Sequence, residues 1–285
     1  MRLLNASGCL DALTAPDAAR SLDVYVTKTV TPLPRGGNLP ERIAETDVGM
    51  LNSIGLANPG IERFLADHLP RLESLRVPFW VSVGGFSVED YASTCAALDR
   101  REAVATVELN LSCPNVDEAP ESAAEIVAAC RQSTSKPLYA KLSATGDVAE
   151  TARAVEAAGA DGLSLVNTVR GLALDARTLR PRLGREVGGL SGPALKPIAL
   201  AAVFACRRAT ALPIVGMGGV QSGRDALELL AAGADDVALG TILFADPAAP
   251  ARVRSELGGE LEARGLARAD DAVGAAHVPA FAAAP

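Results

Sequence analysis

The stretches AAGADGLSLVNT (157–168) and AAGADDVALGT (231–241) repeat one design. In each, an alanine-rich helical run stops at a glycine, Gly159 or Gly233, and a short apolar run with a polar end follows at once. Glycine past the last helical turn is a stop signal, because it takes up the left-handed backbone without a Cβ clash. A helix that feeds directly into a strand, twice, is the hinge of a repeating βα unit.

The same alternation extends outward over nearly the whole chain. Strands are predicted at LLNAS (3–7), LDVYVTKTV (22–30), VPFWVSV (77–83), TVELNLS (106–112), PLYAKLS (137–143), GLSLVNT (162–168), PIVGMGG (213–219) and DVALGTI (236–242). Helices are predicted at 61–69, 88–101, 121–133, 147–159, 193–208 and 223–233. Eight strands alternating with helices predict an α/β protein, a closed (β/α)8 TIM barrel. An open doubly wound sheet is the competitor, but it would usually carry fewer strands or a second domain. Two segments break the rhythm: a Pro/Gly-rich excursion over 31–60 and a long one over 170–192. Both follow strand C-termini, where barrel loops carry function. The expectation is one barrel domain over residues 1–265 with inserted loops at the C-terminal rim of the strands, and a loose C-terminal tail over 266–285.

Composition excludes several function classes. Of 285 residues, 49% are apolar and 21% charged, enough for a sizeable core, and the net charge of −7 argues against a nucleic-acid groove. Five cysteines (Cys9, Cys95, Cys113, Cys130, Cys206) form no CxxC pair, which fits a reducing cytoplasm better than a disulfide framework. Two histidines, His68 and His277, make a His-rich metal site improbable, so no metal is expected. No apolar stretch reaches the roughly 18 residues of a membrane span, and the opening MRLLNASGCLDALTAPD turns acidic too soon for a signal peptide.

In a barrel the parallel strands deliver their C-terminal residues to one rim. The polar residues at those ends become a single group: Asn5, Ser7, Lys28, Thr29, Ser82, Asn110, Cys113, Asn115, Lys141, Asn167 and Thr168, joined by Asn52 and Ser53 from the loop after strand two. Any one of them reads equally as a turn residue. Together, two lysines, several amides and a thiol would be unfavourable in a core and useful around a small polar ligand. EVGGLSGPAL (186–195), VGMGGV (215–220) and LGT (239–241) place small residues where barrels commonly hold a phosphate, with bare backbone N–H groups facing the anion; tight-turn geometry is the alternative reading. Cys113 lies beyond its strand, in ELNLSCPNV (108–116). By spacing alone its thiol is either a base, ionising near the lysines, or an ordinary small side chain.

These motifs, from NASG (5–8) through TKTVTPLPRGGNLPER, GMLNSIGLANPG, ELNLSCPNV, AKLS, VNT and GGLSGPALKP to GMGGV and LGT, resemble the dihydroorotate dehydrogenase family, FMN-containing barrels of pyrimidine biosynthesis. A cysteine at 113 is similar to the soluble class 1 enzymes, and AETDVGMLNSIGLANPG with VGGLSGPALKPIAL is most similar to class 1B, whose FMN subunit pairs with a second subunit carrying FAD and an iron–sulfur cluster and passing electrons to NAD. The resemblance implies a cytoplasmic homodimer that oxidises dihydroorotate to orotate. It implies that Cys113 takes the proton from C5 while hydride leaves C6 for the flavin, and that Lys141 stabilises the reduced ring. It implies substrate contacts from Lys28, Asn52, Ser53, Ile54, Gly55, Leu56, Asn110, Asn115, Asn167 and Thr168. It implies FMN contacts from Ser7, Lys28, Thr29, Ser82, Asn110, Lys141, Val166, Gly192, Gly218, Gly219, Gly240 and Thr241.

Three features depart from the family pattern. The chain begins almost at NASG, where relatives carry an earlier strand and turn. Ser82 stands where asparagine is usual, and DEAPESAAEIV (117–127) follows SCPNV almost directly with helix, shortening the loop expected to close over the substrate. Two other readings are therefore carried: the related flavin subunit of dihydropyrimidine dehydrogenases, and a flavin-binding relative acting as a binding or assembly subunit. Within class 1, fumarate as oxidant (class 1A) is the alternative to NAD.

Overall fold

The computed structural model describes residues 1–111 and 123–277. Strands β1 (Leu3–Asn5) and β2 (Tyr25–Val26) flank helix α1 (Pro16–Arg20). Strands β3 (Ile43–Thr46) and β4 (Gly49–Asn52) follow, then α2 (Ile61–Arg63), a π-helical turn (Phe64–His68) and α3 (Leu69–Ser74). The regular units come next: β5 (Phe79–Val83), α4 (Val88–Asp99), β6 (Val104–Asn110), α5 (Ala123–Ser133), β7 (Leu138–Leu142), α6 (Val148–Ala157) and β8 (Gly162–Leu165). After β9 (Val169–Leu172) and β10 (Val187–Ser191) come α7 (Lys196–Ala209), β11 (Ile214–Met217), α8 (Gly223–Ala232), β12 (Asp236–Leu239), α9 (Ile242–Ala245) and α10 (Ala249–Glu262).

Among the described residues eight parallel strands form one sheet in the order β1-β12-β11-β8-β7-β6-β5-β2. The ends of that order meet. Leu4 bridges Val24 in parallel, and the buried Asn5 side chain donates to Val26 O and accepts from Val26 N, both at 2.8 Å. The expected (β/α)8 barrel is therefore what the chain forms, and Asn5, named with the rim residues, serves as its seam. With β1 and β2 so short, a side-chain amide supplies the donor and acceptor that a longer ladder would have provided.

The helix hinges follow local chemistry. Ser222 and Asp225 form a capping box at the start of α8, and Gly233 ends it at φ 117°. Inside the barrel, Leu4, Val24, Val26, Trp80, Tyr139, Val215, Met217 and Ala238 form a separate apolar cluster. Arg2 closes the N-terminal end, paired with Asp236 at 2.7 Å and stacked over Trp80. The functional rim is the other one.

The two excursions do not remain irregular. They meet as a four-stranded antiparallel sheet, β3-β4-β10-β9, in which Leu51 pairs with Leu190 and Asn52 with Gly189. Each strand is short and half exposed, so neither half shows a clear alternation alone; the partner lies in the opposite part of the sequence. The tail expectation also needs correction. Residues 266–277 pack on α8 and reach α7: Ala272 is buried, Gly274 N donates to Leu230 O of α8, and the His277 ring stacks on Phe204 of α7 at 4.1 Å. The N-terminal ammonium meets Asp270 at 2.7 Å. Small and apolar residues in this stretch cover a helix face that would otherwise meet water. Residues 278–285 lie outside the described residues.

Candidate active site

A cavity of about 750 Å³ opens at the C-terminal ends of the barrel strands, roofed on one side by the small antiparallel sheet. Strand ends bring the expected residues to it in turn. Ser7 follows β1, Lys28 and Thr29 follow β2, Asn52 ends β4, and Ile54, Gly55 and Leu56 follow it. Asn110 ends β6, Lys141 lies on β7, and Val166, Asn167 and Thr168 follow β8. Gly192, Gly218, Gly219, Gly240 and Thr241 complete the ring after β10, β11 and β12.

Two expected residues do not reach the cavity. Ser53 is buried on the far side, its hydroxyl accepting from Asn38 Nδ2 at 2.9 Å, because successive residues along an extended chain face opposite ways. Ser82 is fully buried and lies behind Thr29, hydroxyl to hydroxyl at 3.0 Å, so it orients a cavity residue without lining the cavity. Cys113, Asn115 and the shortened loop lie outside the described residues.

The polar wall is a connected network. Ser7 Oγ donates to Thr27 O at 2.8 Å, and Asn110 Nδ2 donates to Thr29 Oγ1 at 3.3 Å. Asn167 Nδ2 donates to Asn110 Oδ1 at 2.9 Å, while Asn167 Oδ1 accepts from Thr168 N at 2.9 Å. Each bond fixes which end of an amide is donor and which is acceptor, so the wall presents a set pattern to a ligand. Opposite it, Thr241 Oγ1 donates to Ser191 Oγ at 2.8 Å, tying the β12 loop to the small sheet.

The glycines divide into two kinds. Gly219 has φ +76°, and a Cβ there would lie 2.8 Å from Lys196 N, so turn geometry and close packing both demand glycine. Gly240 has no such constraint: a Cβ would meet only Ala6 Cβ at 3.7 Å and Cys9 Sγ at 3.8 Å. Its bare backbone faces cavity space.

Residues not anticipated complete the site. Glu108 is buried beneath Asn110, its Oε1 3.5 Å from Lys141 Nζ. No local signal marked it: Glu108 shares its strand face with Thr106 and Asn110, so a polar residue there reads as ordinary. Cys9, which the sequence did not single out, also lines the cavity. Burial pushes its thiol above the ordinary range, opposed by the positive charges of Lys141 and Lys28. Alkylation of Cys9 by iodoacetamide, followed by peptide mass spectrometry, is expected to be slow at neutral pH and to accelerate only in alkaline buffer, because the thiolate is the nucleophile. Fast labelling of the folded protein near pH 7 would contradict this electrostatic picture.

Fold and cavity together define the class: a (β/α)8-barrel protein with its ligand cavity at the C-terminal ends of the strands. The profile of the dihydroorotate dehydrogenase family matches residues 2–261. The chain belongs to that family, whose members are flavin-dependent oxidoreductases. It is 44% identical over 258 residues to the catalytic subunit of dihydroorotate dehydrogenase B (NAD(+)) of Listeria monocytogenes, covering 88% of this chain and 85% of that one. It is 45% identical over 262 residues to a putative dihydroorotate dehydrogenase A (fumarate) of Solibacter usitatus, covering 89% and 86%. A ligand-free DHODH crystal structure from Eimeria tenella superposes with a TM-score of 0.81 at 23% identity, over 97% of this chain and 89% of that one, a likeness of fold. No helix among the described residues is long and apolar enough to cross a membrane.

Proposed function

We propose that this chain oxidises dihydroorotate to orotate in pyrimidine biosynthesis, with FMN held in the rim cavity. One observation carries the reading: Lys28, Asn110, Lys141 and Asn167 share a single cavity with the small-residue turns at Gly192, Gly218–Gly219 and Gly240. The residues fit such a cofactor. At Gly240, which lines the cavity, an added Cβ would make only ordinary contacts, and a volume of about 750 Å³ is ample for a flat ring beside a small substrate. Gly192, Gly218, Gly219, Gly240 and Thr241 would surround the phosphate, and Ser7, Thr29 and Val166 the ring. FMN, when bound, supplies the hydride acceptor.

The chain's own residues supply binding, orientation and proton transfer. Lys28 offers its ammonium to the substrate carboxylate. Asn52, Asn110, Asn115, Asn167 and Thr168 read the polar edge of the pyrimidine ring, with the amides of Asn110 and Asn167 oriented by the network described above. Ile54, Gly55 and Leu56 bound the apolar side. Cys113, as thiolate, accepts the proton from C5 and becomes a thiol. Lys141 places positive charge where the reduced cofactor gathers negative charge.

For the electron acceptor, two relatives of similar identity bear different names: an NAD(+) catalytic subunit and a putative fumarate enzyme. The catalytic-subunit relatives support class 1B, with an FAD and iron–sulfur subunit as partner; the Solibacter relative supports class 1A. We further propose a homodimer, for which exposed Ile43, Leu172, Leu174 and Leu179 on and beside the small sheet provide apolar surface. The described cysteines are free thiols, in keeping with a reducing, cytoplasmic setting.

Purification and an absorbance spectrum, followed by anaerobic addition of dihydroorotate, test the whole reading. A yellow protein of dimeric mass whose flavin band bleaches is expected, with orotate and not uracil perturbing the bound spectrum. A colourless protein that cannot be reconstituted with FMN would remove the flavin assignment. A response to uracil would replace the substrate by a dihydropyrimidine, and a yellow protein that dihydroorotate never bleaches would leave only a binding subunit.

A further inference from the structure

Lys141 is paired within the barrel: its ammonium and the Glu108 carboxylate are 3.5 Å apart, with side chains 7% and 1% exposed. Glu108 lies two residues before Asn110 on β6 and points to the same interior face, one layer deeper. The strand register agrees, since Asn110 is opposite Lys141 and Glu108 is opposite Tyr139, whose ring belongs to the interior apolar cluster. On the other flank Ser164 is in register with Lys141, and its buried hydroxyl has no hydrogen-bond partner among the described residues. Among those residues Glu108 is the carboxylate that meets Lys141.

Stability does not account for this arrangement. Inward positions of barrel strands favour branched apolar side chains, and a buried ion pair is commonly no better than the hydrophobic residues that could replace it. A carboxylate here does have an electrostatic consequence. A lone ammonium at the cavity wall would favour a negatively charged partner strongly. With Glu108 beside it the cation becomes one end of a dipole, whose field is weaker and falls off faster.

We propose that Glu108 is a positioning residue for Lys141: it holds the ammonium at the cavity floor and offsets part of its field, thereby setting how far the site stabilises a reduced, negatively charged flavin. This rests on the FMN reading above. It names a group that touches neither substrate nor cofactor and acts through one that lines the cavity.

The test is a double-mutant cycle read as the midpoint potential of bound FMN in the purified, flavin-loaded protein. The parent, Glu108→Gln, Lys141→Met and the double variant are compared at about pH 6, far below the ordinary lysine pKa of about 10.4. Glu108→Gln is expected to shift the potential to more positive values, because the ammonium is then unopposed. The same change made in the Lys141→Met background is expected to produce a smaller shift, since the carboxylate's own charge is lost in both backgrounds and only the first has an ammonium for Glu108 to release. An unchanged or more negative potential in Glu108→Gln overturns the inference. So does an equal shift with and without Lys141, since Glu108 would then act by its own charge alone. Should Glu108→Gln fail to fold, Glu108→Asp keeps the charge with a longer gap and is expected to shift the potential in the same direction by less; no shift there overturns the inference too. A parent protein that takes up no flavin sinks both this and the function proposed above, whereas a yellow parent with a potential insensitive to Glu108 sinks only the inference.

Discussion

The Cys113→Ser protein is expected to remain yellow and to lose about 10²–10⁴-fold in the rate of flavin reduction by dihydroorotate at neutral pH, the range over which a positioned base usually contributes. A thiol with an unperturbed pKa of about 8.5 keeps a useful thiolate fraction near pH 7, and a serine hydroxyl does not. The rim cavity already carries two ammonium groups, those of Lys28 and Lys141, and cationic surroundings favour thiolate. Cys9 is a poor substitute, because burial pushes its thiol up. Stopped-flow absorbance under anaerobic conditions checks the result. Raising the pH should recover part of the lost rate, since any hydroxide-assisted proton removal grows with pH. Unchanged reduction at neutral pH would assign the proton to another group.

Gly240→Val is the second large effect, and it falls on the cofactor and not on the fold. The backbone at Gly240 is one that any residue can adopt, and the nearest atoms to an added Cβ are 3.7 Å and 3.8 Å away, ordinary contact distances. The protein should therefore fold with a thermal midpoint close to the parent's when both lack flavin. The valine branches, however, project into the space assigned to the phosphate end of FMN. Overpacking of a fitted site costs about 1–3 kcal/mol, a factor of roughly 5 to 150 in affinity at about 1.4 kcal/mol per decade. Fluorescence titration of the stripped protein with FMN measures it. The contrast with Gly219→Val is informative: there φ of +76° and the approach to Lys196 predict a protein that loses fold and flavin together. Equal FMN affinity in Gly240→Val and the parent would move the phosphate elsewhere.

Much of this site was legible in the chain itself, and for a definable reason. Barrel strands are local objects: the alternation of Val107, Leu109 and Leu111 with Glu108 and Asn110 marks a strand and its end without knowledge of any neighbour. Once parallel order is assumed, strand ends must converge, so Lys28, Asn110, Lys141 and Asn167 could be grouped before any coordinate was known. The same reasoning failed for Ser53 and Ser82. Both sit in the right motifs, but whether a side chain faces a cavity or lies a layer behind it depends on neighbours that sequence order does not name. Cys9 and Glu108 were missed for the converse reason. Each looks ordinary in its own segment and gains meaning only beside Lys141.

What the sequence by itself determined is the set of βα units, the strand-end chemistry and the family, because these follow from short-range periodicity, stop signals and motifs. The tertiary structure alone decided that residues 43–52 and 169–191 pair into one roof over the cavity, that residues 266–277 pack on α8, and that Lys141 has a buried anionic partner. Each of these depends on groups far apart in the chain, whose association is governed by complementary surfaces and charges that become neighbours only after the barrel has closed.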